Sequence, residues 1–247
     1  MNRIKDYSQL AFDIDRWLKD YYYMYAIEAF VVGVSGGIDS AVVSTLCAKT
    51  ELPTYVLTMP LHSKKENTRL SDAHAKALVD KYPNVKVVNI DLTETYDKFM
   101  LNVDDTFTGN ELANANTKSR LRMVSLYQVA GSVGGIVVGT GNKVEDYGIG
   151  FYTKYGDGGV DIAPIADLYK TEVRELGWHL GVMNEIIDAK PTDGLWDDGR
   201  SDEDQIGATY AELEEAMENG TGKAVDILYK FNRQNRHKME PIPTFKL

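Results

Sequence analysis

Gly33-Val34-Ser35-Gly36-Gly37-Ile38-Asp39-Ser40 closes a short apolar run, Ala29 to Val34, and opens a stretch, Ile38 to Lys49, whose apolar residues recur at helical spacing. The order is strand, glycine turn, helix. Two adjacent glycines let the backbone turn tightly and bring N–H groups toward an anion. The helix N-terminus adds partial positive charge, and Ser35 and Ser40 supply hydroxyl donors. Gly33 to Ser40 therefore reads as a phosphate cradle. It is not a Walker A loop, since no lysine precedes the final serine. Asp39 would repel phosphate unless magnesium lay between them, so a metal-bridged pyrophosphate is implied. The blander reading makes the same glycines, Asp39 and Ser40 simple helix capping.

Outward from this stretch the same grammar repeats. Thr54 to Met59 and Val85 to Ile90 are β-branched runs separated by a helical stretch, Asn67 to Tyr82. Gly135 to Gly139 is a fourth strand, preceded by a helix from about Ala113 to Gly131, and Asp167 to Leu180 is helical again. Before them all, Tyr7, Leu10, Ile14, Trp17, Leu18 and Tyr21 mark an amphipathic first helix. Alternating strands and helices predict a doubly wound α/β fold, a mostly parallel sheet with helices on both faces. The cradle then lies at the carboxyl edge, where such sheets bind ligands. Thr140 to Ala166 is long, glycine-rich and without clear periodicity, as functional loops are. Pro191 to Asp204 mixes Pro and Gly with five aspartates and Glu203, and reads as a flexible lid or a solvated linker. Neither interrupts what reads as one domain over residues 1–247.

Composition narrows the partners. With 27 Lys plus Arg against 37 Asp plus Glu, the net charge of −10 disfavours adhesion to nucleic acid or to an anionic membrane. Any anionic ligand must be met by local cations or by magnesium. The single cysteine, Cys47, excludes an intramolecular disulfide, a CxxC pair and a cysteine-rich zinc site, which fits a reducing cytoplasm. Met1 to Tyr25 carries four aspartates and no apolar core of a secretory signal. Met123 to Asn142 lacks charged residues but holds five glycines, and reads as the end of a buried helix followed by a core strand.

The string Ser35-Gly36-Gly37-Ile38-Asp39-Ser40 after a buried strand resembles the signature of the ATP-pyrophosphatase, or PP-loop, superfamily, whose fold is adenine nucleotide alpha hydrolase-like. Gly139-Thr140-Gly141-Asn142, Glu145, Thr153-Lys154-Tyr155-Gly156-Asp157-Gly158-Gly159 and Asp161 narrow the match. So do Asn116 to Arg120, Lys170, Pro191-Thr192 and His237-Lys238. Together, over nearly the whole chain, they resemble the ammonia-dependent NAD synthetases. The resemblance implies that ATP adenylates the nicotinate carboxylate of deamido-NAD and that ammonia displaces AMP. It implies ATP contacts at Gly33, Val34, Ser35, Gly36, Gly37, Ile38, Asp39, Ser40, Thr140, Lys170 and Thr192. It also implies deamido-NAD contacts at Arg120, Lys154, Asp161, His237 and Lys238, and a homodimer, to which the aromatic run Tyr21-Tyr22-Tyr23 would contribute apolar contact.

Residue chemistry agrees with those roles. Asp39 and Glu145 offer hard oxygens to magnesium. Lys170 would stabilise the developing pyrophosphate. Asp157 would accept a hydrogen bond from incoming ammonium or deprotonate it. Taken singly, Glu145 is a solvated loop carboxylate, Lys170 a helix-surface lysine, Thr140 and Thr192 N-caps, and Asp157 an Asx-turn residue beside Gly158. Glu145 to Lys154 is one residue longer than the family's spacing, which leaves the register of Asp146 to Gly150 open. Phe107, Phe151, Tyr152 and Tyr155 are as well suited to core packing as to stacking. Glutamine-dependent relatives need an amidohydrolase with its own cysteine nucleophile, which this length and one cysteine do not provide, so free ammonia is the expected donor. Three readings stay beside this one: a GMP-synthetase-like ligase core, a tRNA-modifying adenylase, which the acidic charge disfavours, and a nucleotide-binding module without chemistry.

Overall fold

A computed structural model describes residues 3–192 and 200–246. Asp6 caps α1 (Tyr7–Met24) by accepting from the Ser8 and Gln9 N–H groups, and the helix buries Ala11, Ile14 and Leu18. Next come β1 (Ala29–Gly33), α2 (Ile38–Lys49), β2 (Thr54–Thr58), α3 (Lys65–Lys81) and β3 (Val85–Asn89). The chain then runs through α4 (Thr93–Met100), α5 (Asp105–Thr108), α6 (Glu111–Ser132), β4 (Gly135–Val137), a π-helical turn at Val144–Ile149, and α7 (Lys170–Leu180). It finishes with α8 (Asn184–Ile187), α9 (Asp202–Ile206), α10 (Tyr210–Asn219) and α11 (Val225–Met239).

The four strands are parallel in the order β3-β2-β1-β4, with Phe30 opposite Thr54 on one side and Ile136 on the other. Strand alternation sorts the two cores. Phe30, Val32 and Val56 pack with α1, α2, α3 and α7, whereas Val31 and Leu57 pack with Leu92, Tyr96 and Ala130 on the opposite face. Helices on both faces are the expected doubly wound arrangement. Ten of the twelve residues of α2 are buried, which is why its sequence shows no polar face. The chain winds from β1 outward to β2 and β3, and β4 is added later on the other side of β1. The carboxyl ends of β1 and β4 therefore open a crevice at the switch point.

The structure departs from the expectations in several places. Thr140 to Ala166 is not wholly irregular, since it contains the π-helical turn, and Val138 makes a parallel bridge to Ile162. The helix expected from Asp167 begins at Lys170. The C-terminal part of α6 is not buried throughout, because only Ala115, Lys118, Ser119 and Ala130 are buried along the helix and Val124 is 56% exposed. Among the described residues no helix is long and apolar enough to cross a membrane. Of the stretch read as a lid, residues 193–199 lie outside the described residues, and the end of the stretch forms the start of α9, capped by Ser201. After it, α10, α11 and the π-helical turn enclose an apolar cluster of their own, including Val144, Ile149, Tyr169, Tyr210, Leu213 and Leu228.

Candidate active site

Gly36 turns the chain out of β1 with φ +89°, where a Cβ would stand 2.8 Å from the Asn67 carbonyl oxygen. No side chain caps α2, whose N-cap is Gly37, so capping does not explain this motif. The first-turn amides are left for an anion. Ser40 serves the loop itself: its hydroxyl donates to Gly37 O at 3.0 Å and accepts from Ser35 N at 3.2 Å. Ser35 is the exposed hydroxyl of the pair. Behind the loop, Ser44 Oγ donates to Ser40 O at 2.7 Å and pairs with His74 Nε2 at 2.9 Å.

Asp39 does not cap the helix either. Its carboxylate pairs with Lys170 Nζ, and Asn142 Nδ2 donates to its other oxygen at 3.4 Å. Lys170 Nζ also reaches Glu145 Oε1 at 3.1 Å, so residues from the β1–α2 turn, the loop after β4 and the first turn of α7 converge on one ammonium. The Lys170 side chain is 4% exposed, Asp39 15% and Glu145 16%, which removes the surface-lysine and solvated-loop readings. Two carboxylates hold the Lys170 pKa above its ordinary value against its burial. Burial pushes the Asp39 carboxyl up, against the pull of Lys170. Tyr210 donates its hydroxyl to Glu145 Oε1 at 2.6 Å. Asp146, beside Glu145, is half-buried, and desolvation with the neighbouring Glu145, Asp157 and Asp39 pushes its carboxyl up to about 7.

A cavity of about 290 Å³ runs over this cluster, lined by the whole of Gly33 to Ser40, by Thr140, Glu145, Asp157, Lys170 and Thr192, and by Phe151 and Tyr152. A larger concavity of about 510 Å³ lies elsewhere and presents Glu172, Glu175, Glu214, Glu215 and Glu218. Its charge repels a phosphate-bearing ligand, so the smaller cavity is the candidate site. The NAD synthase family profile matches residues 10–242. The chain belongs to the NAD synthase family. It is 36% identical over 245 residues to the NH3-dependent NAD(+) synthetase of Finegoldia magna, covering 98% of this chain and 97% of that one. Among solved structures, the NMN synthetase of Francisella tularensis superposes with a TM-score of 0.89 at 33% identity, over 99% of this chain and 100% of that one. The NH3-dependent NAD synthetase of Campylobacter jejuni, in complex with the nitrate ion, shares the fold with a TM-score of 0.78 at 23% identity, over 98% and 100% of the two chains.

The Thr153 to Asp161 block packs against α6. Ser119 Oγ donates to Asp157 Oδ1 at 2.7 Å and accepts from Asp157 N at 2.9 Å, while Thr153 N also donates to Oδ1 at 3.0 Å. The local-turn contacts of Asp157 are thus present at Oδ1, and the residue also lines the cavity. Before this block the chain makes the wide π-helical turn at Val144–Ile149, over most of the stretch whose register the sequence left open. Four of the five residues matched to deamido-NAD meet beside the cavity. Arg120 donates to Lys154 O at 3.3 Å, Lys154 Nζ reaches His237 O at 3.4 Å, and Lys238 Nζ donates to Tyr152 O at 2.8 Å. Asp161 stands apart, its carboxylate accepting from Val137 N at 2.7 Å and Tyr127 OH at 3.0 Å. Phe107 and Tyr155 are exposed and away from the cavity lining, whereas Phe151 and Tyr152 line it. Cys47 is fully buried with its thiol pushed up to about 12, so it is no nucleophile. Sequence reasoning missed Tyr210, Asn142 and Asp146. Asn142 stands within the Gly139 to Asn142 motif and Asp146 in the segment whose register was open, but nothing local to Tyr210 marks it.

Proposed function

We propose that this chain catalyses ATP-dependent amidation of the nicotinate carboxylate of deamido-NAD by ammonia, giving NAD, AMP and pyrophosphate. The observation that carries the reading is the convergence of Asp39, Glu145 and Lys170 over an uncapped helix N-terminus, within a chain of this family. The carboxylate oxygen attacks the α-phosphorus and pyrophosphate leaves. Ammonia then attacks the adenylated carbonyl and AMP leaves with its electron pair. Lys170 neutralises charge on the departing pyrophosphate, and the α2 amides hold its oxygens. Asp157 receives a proton from the incoming nitrogen. Thr140 and Thr192 orient ATP by hydroxyl contacts. Arg120, Lys154 and Lys238, with His237 beside them, form the seat for the dinucleotide next to the cavity, and Asp161, which stands apart, supports the strand end through Val137 N.

Asp39 and Glu145 fit magnesium by donor chemistry: two carboxylates already aimed at one cation, with phosphate oxygens to complete the shell, which is how magnesium is usually held. When bound, magnesium would neutralise phosphate charge during cleavage. Family membership replaces the GMP-synthetase-like and tRNA-modifying readings. The buried charges make little sense in a module that only binds, since desolvating them is costly without chemistry to serve.

The similarity to the NMN synthetase favours a second reading, in which the acceptor is the mononucleotide bearing the same nicotinate carboxylate. Incubation with magnesium, ATP, ammonium and each acceptor, followed by chromatography, decides between them by the ratio of kcat/KM. ADP as product would refute both. Glutamine in place of ammonium is expected to give no product. A cytoplasmic homodimer completes the reading. Tyr21 and Tyr22 pack partly on the core, so of the aromatic run only Tyr23 is well exposed, and Phe107, Leu112 and Val124 offer further apolar surface. Sedimentation equilibrium checks the assembly.

A further inference from the structure

Tyr210 is buried against the charged cluster of the site, with no motif to announce it. It is 2% exposed, opens α10, and its backbone N–H donates to Glu203 Oε1 at 3.0 Å. Its hydroxyl donates to Glu145 Oε1 at 2.6 Å and lies 3.4 Å from Asp202 Oδ2. The Lys170 ammonium lies 4.8 Å from the centroid of its ring. One side chain therefore touches two of the three charged groups on which the chemistry depends.

We propose that Tyr210 is a positioning residue that fixes Glu145 for the divalent cation through its hydroxyl and steadies Lys170 through its ring. A glutamate has three side-chain torsions, and beside an ammonium it can swing into tighter pairing with that cation alone. A phenol restrains it without adding positive charge, so the carboxylate keeps its negative charge and its second oxygen for a metal. The ring does the same for the ammonium, since its negative face attracts the charge without consuming a carboxylate. An arginine or lysine at this place would compete with the metal. A leucine would keep the site apolar but leave both groups unrestrained.

The inference rests on reading Asp39 and Glu145 as the magnesium pair, and the test separates the two. Manganese binding is titrated by electron paramagnetic resonance, with a non-hydrolysable ATP analogue present, for the native chain, Tyr210→Phe, Tyr210→Leu and Glu145→Gln. Tyr210→Phe keeps the ring and the packing, and is expected to weaken manganese about tenfold, the usual loss on removing such a supporting bond. The magnesium concentration for half-maximal rate shifts in parallel, while KM for the acceptor stays within about twofold. Tyr210→Leu adds a further fall in kcat through Lys170, with circular dichroism checking the fold. Native manganese affinity in Tyr210→Phe, with Glu145→Gln impaired, overturns the role of Tyr210 alone. Native affinity in Glu145→Gln as well overturns the magnesium pair and this inference with it.

Discussion

His74 predicts how the phosphate loop responds to acid. The residue is buried in α3, 3% exposed, with Nε2 at 2.9 Å from Ser44 Oγ. Ser44 donates its own proton to Ser40 O, so it accepts from a neutral imidazole. Burial lowers the pKa of His74 from 6.5 to about 4, with a bond to the Ala41 backbone opposing the shift. A folded-state pKa below the unfolded one means that the unfolded chain binds more protons between these values. The stabilisation is complete above about pH 6.5 and is lost as pH falls toward 4. By about pH 5 the loss amounts to roughly 2 kcal/mol. For a chain of this size that is about 4–8 °C in Tm. His74→Gln removes the titration while keeping an amide donor for Ser44. Its thermal midpoint at about pH 8 should lie slightly below the native one, by about 1 kcal/mol for an imperfect hydrogen bond. Between about pH 8 and pH 5 it should lose about 2 kcal/mol less than the native chain. All other groups titrate alike in both proteins and cancel. Parallel midpoint-versus-pH curves for the two would refute the argument, because they would mean that His74 titrates no differently folded than unfolded.

Asp39→Asn keeps size but removes half of the proposed magnesium pair, so turnover should fall by two or more orders of magnitude, roughly the loss of one charged transition-state contact, with Tm little changed. Lys170→Met leaves Asp39 and Glu145 facing each other without their cation, which should cost about 3–5 kcal/mol of stability in calorimetry, partly restored by added magnesium. The same variant should lose kcat more than affinity for the acceptor, and equal losses would mark the lysine as merely structural. Gly36→Ala forces a side chain into left-handed backbone and against Asn67 O, so a drop of at least ~1–2 kcal/mol in chemical denaturation is expected, with weakened ATP binding.

The sheet was legible because each strand is an apolar run ended by a turn, and the expected strands lie within one or two residues of those observed at Ala29–Gly33, Thr54–Thr58, Val85–Asn89 and Gly135–Val137. The cradle was legible for a related reason, since β1, turn and α2 are contiguous and their function is local. Convergence across the chain was not. Lys170 meets Asp39 across 131 residues, and only resemblance placed them in one site. Tyr210 reaches Glu145 across 65 residues, and the threonine-capped helix it opens looks like any surface helix until Leu213 and Ala216 bury its inner face. The C-terminal helices were equally obscure, because α11 buries only Leu228 and its other apolar residues are partly covered or exposed.

How a chain of net charge −10 holds a polyanion follows from where its charges lie. The acidic concavity bordered by Glu172, Glu175, Glu214, Glu215 and Glu218 lies outside the cavity that holds the glycine turn. Screening limits its reach to about 8–10 Å at ordinary ionic strength, so it need not dominate the site. Within the site, attraction is supplied at short range by groups that do not contribute to net positive charge: the α2 amides and, once bound, magnesium on two carboxylates. Lys170 is already compensated by those carboxylates. In the proposed cycle magnesium with ATP would take over the carboxylates and free the ammonium for phosphate. Binding of ATP without magnesium should then be much weaker than binding of the complex, and should weaken further as pH rises and Asp146, whose carboxyl is pushed up to about 7, ionises. Equal affinity for ATP with and without magnesium, measured by calorimetry at about pH 8, would break this link between the acidic pair and the nucleotide.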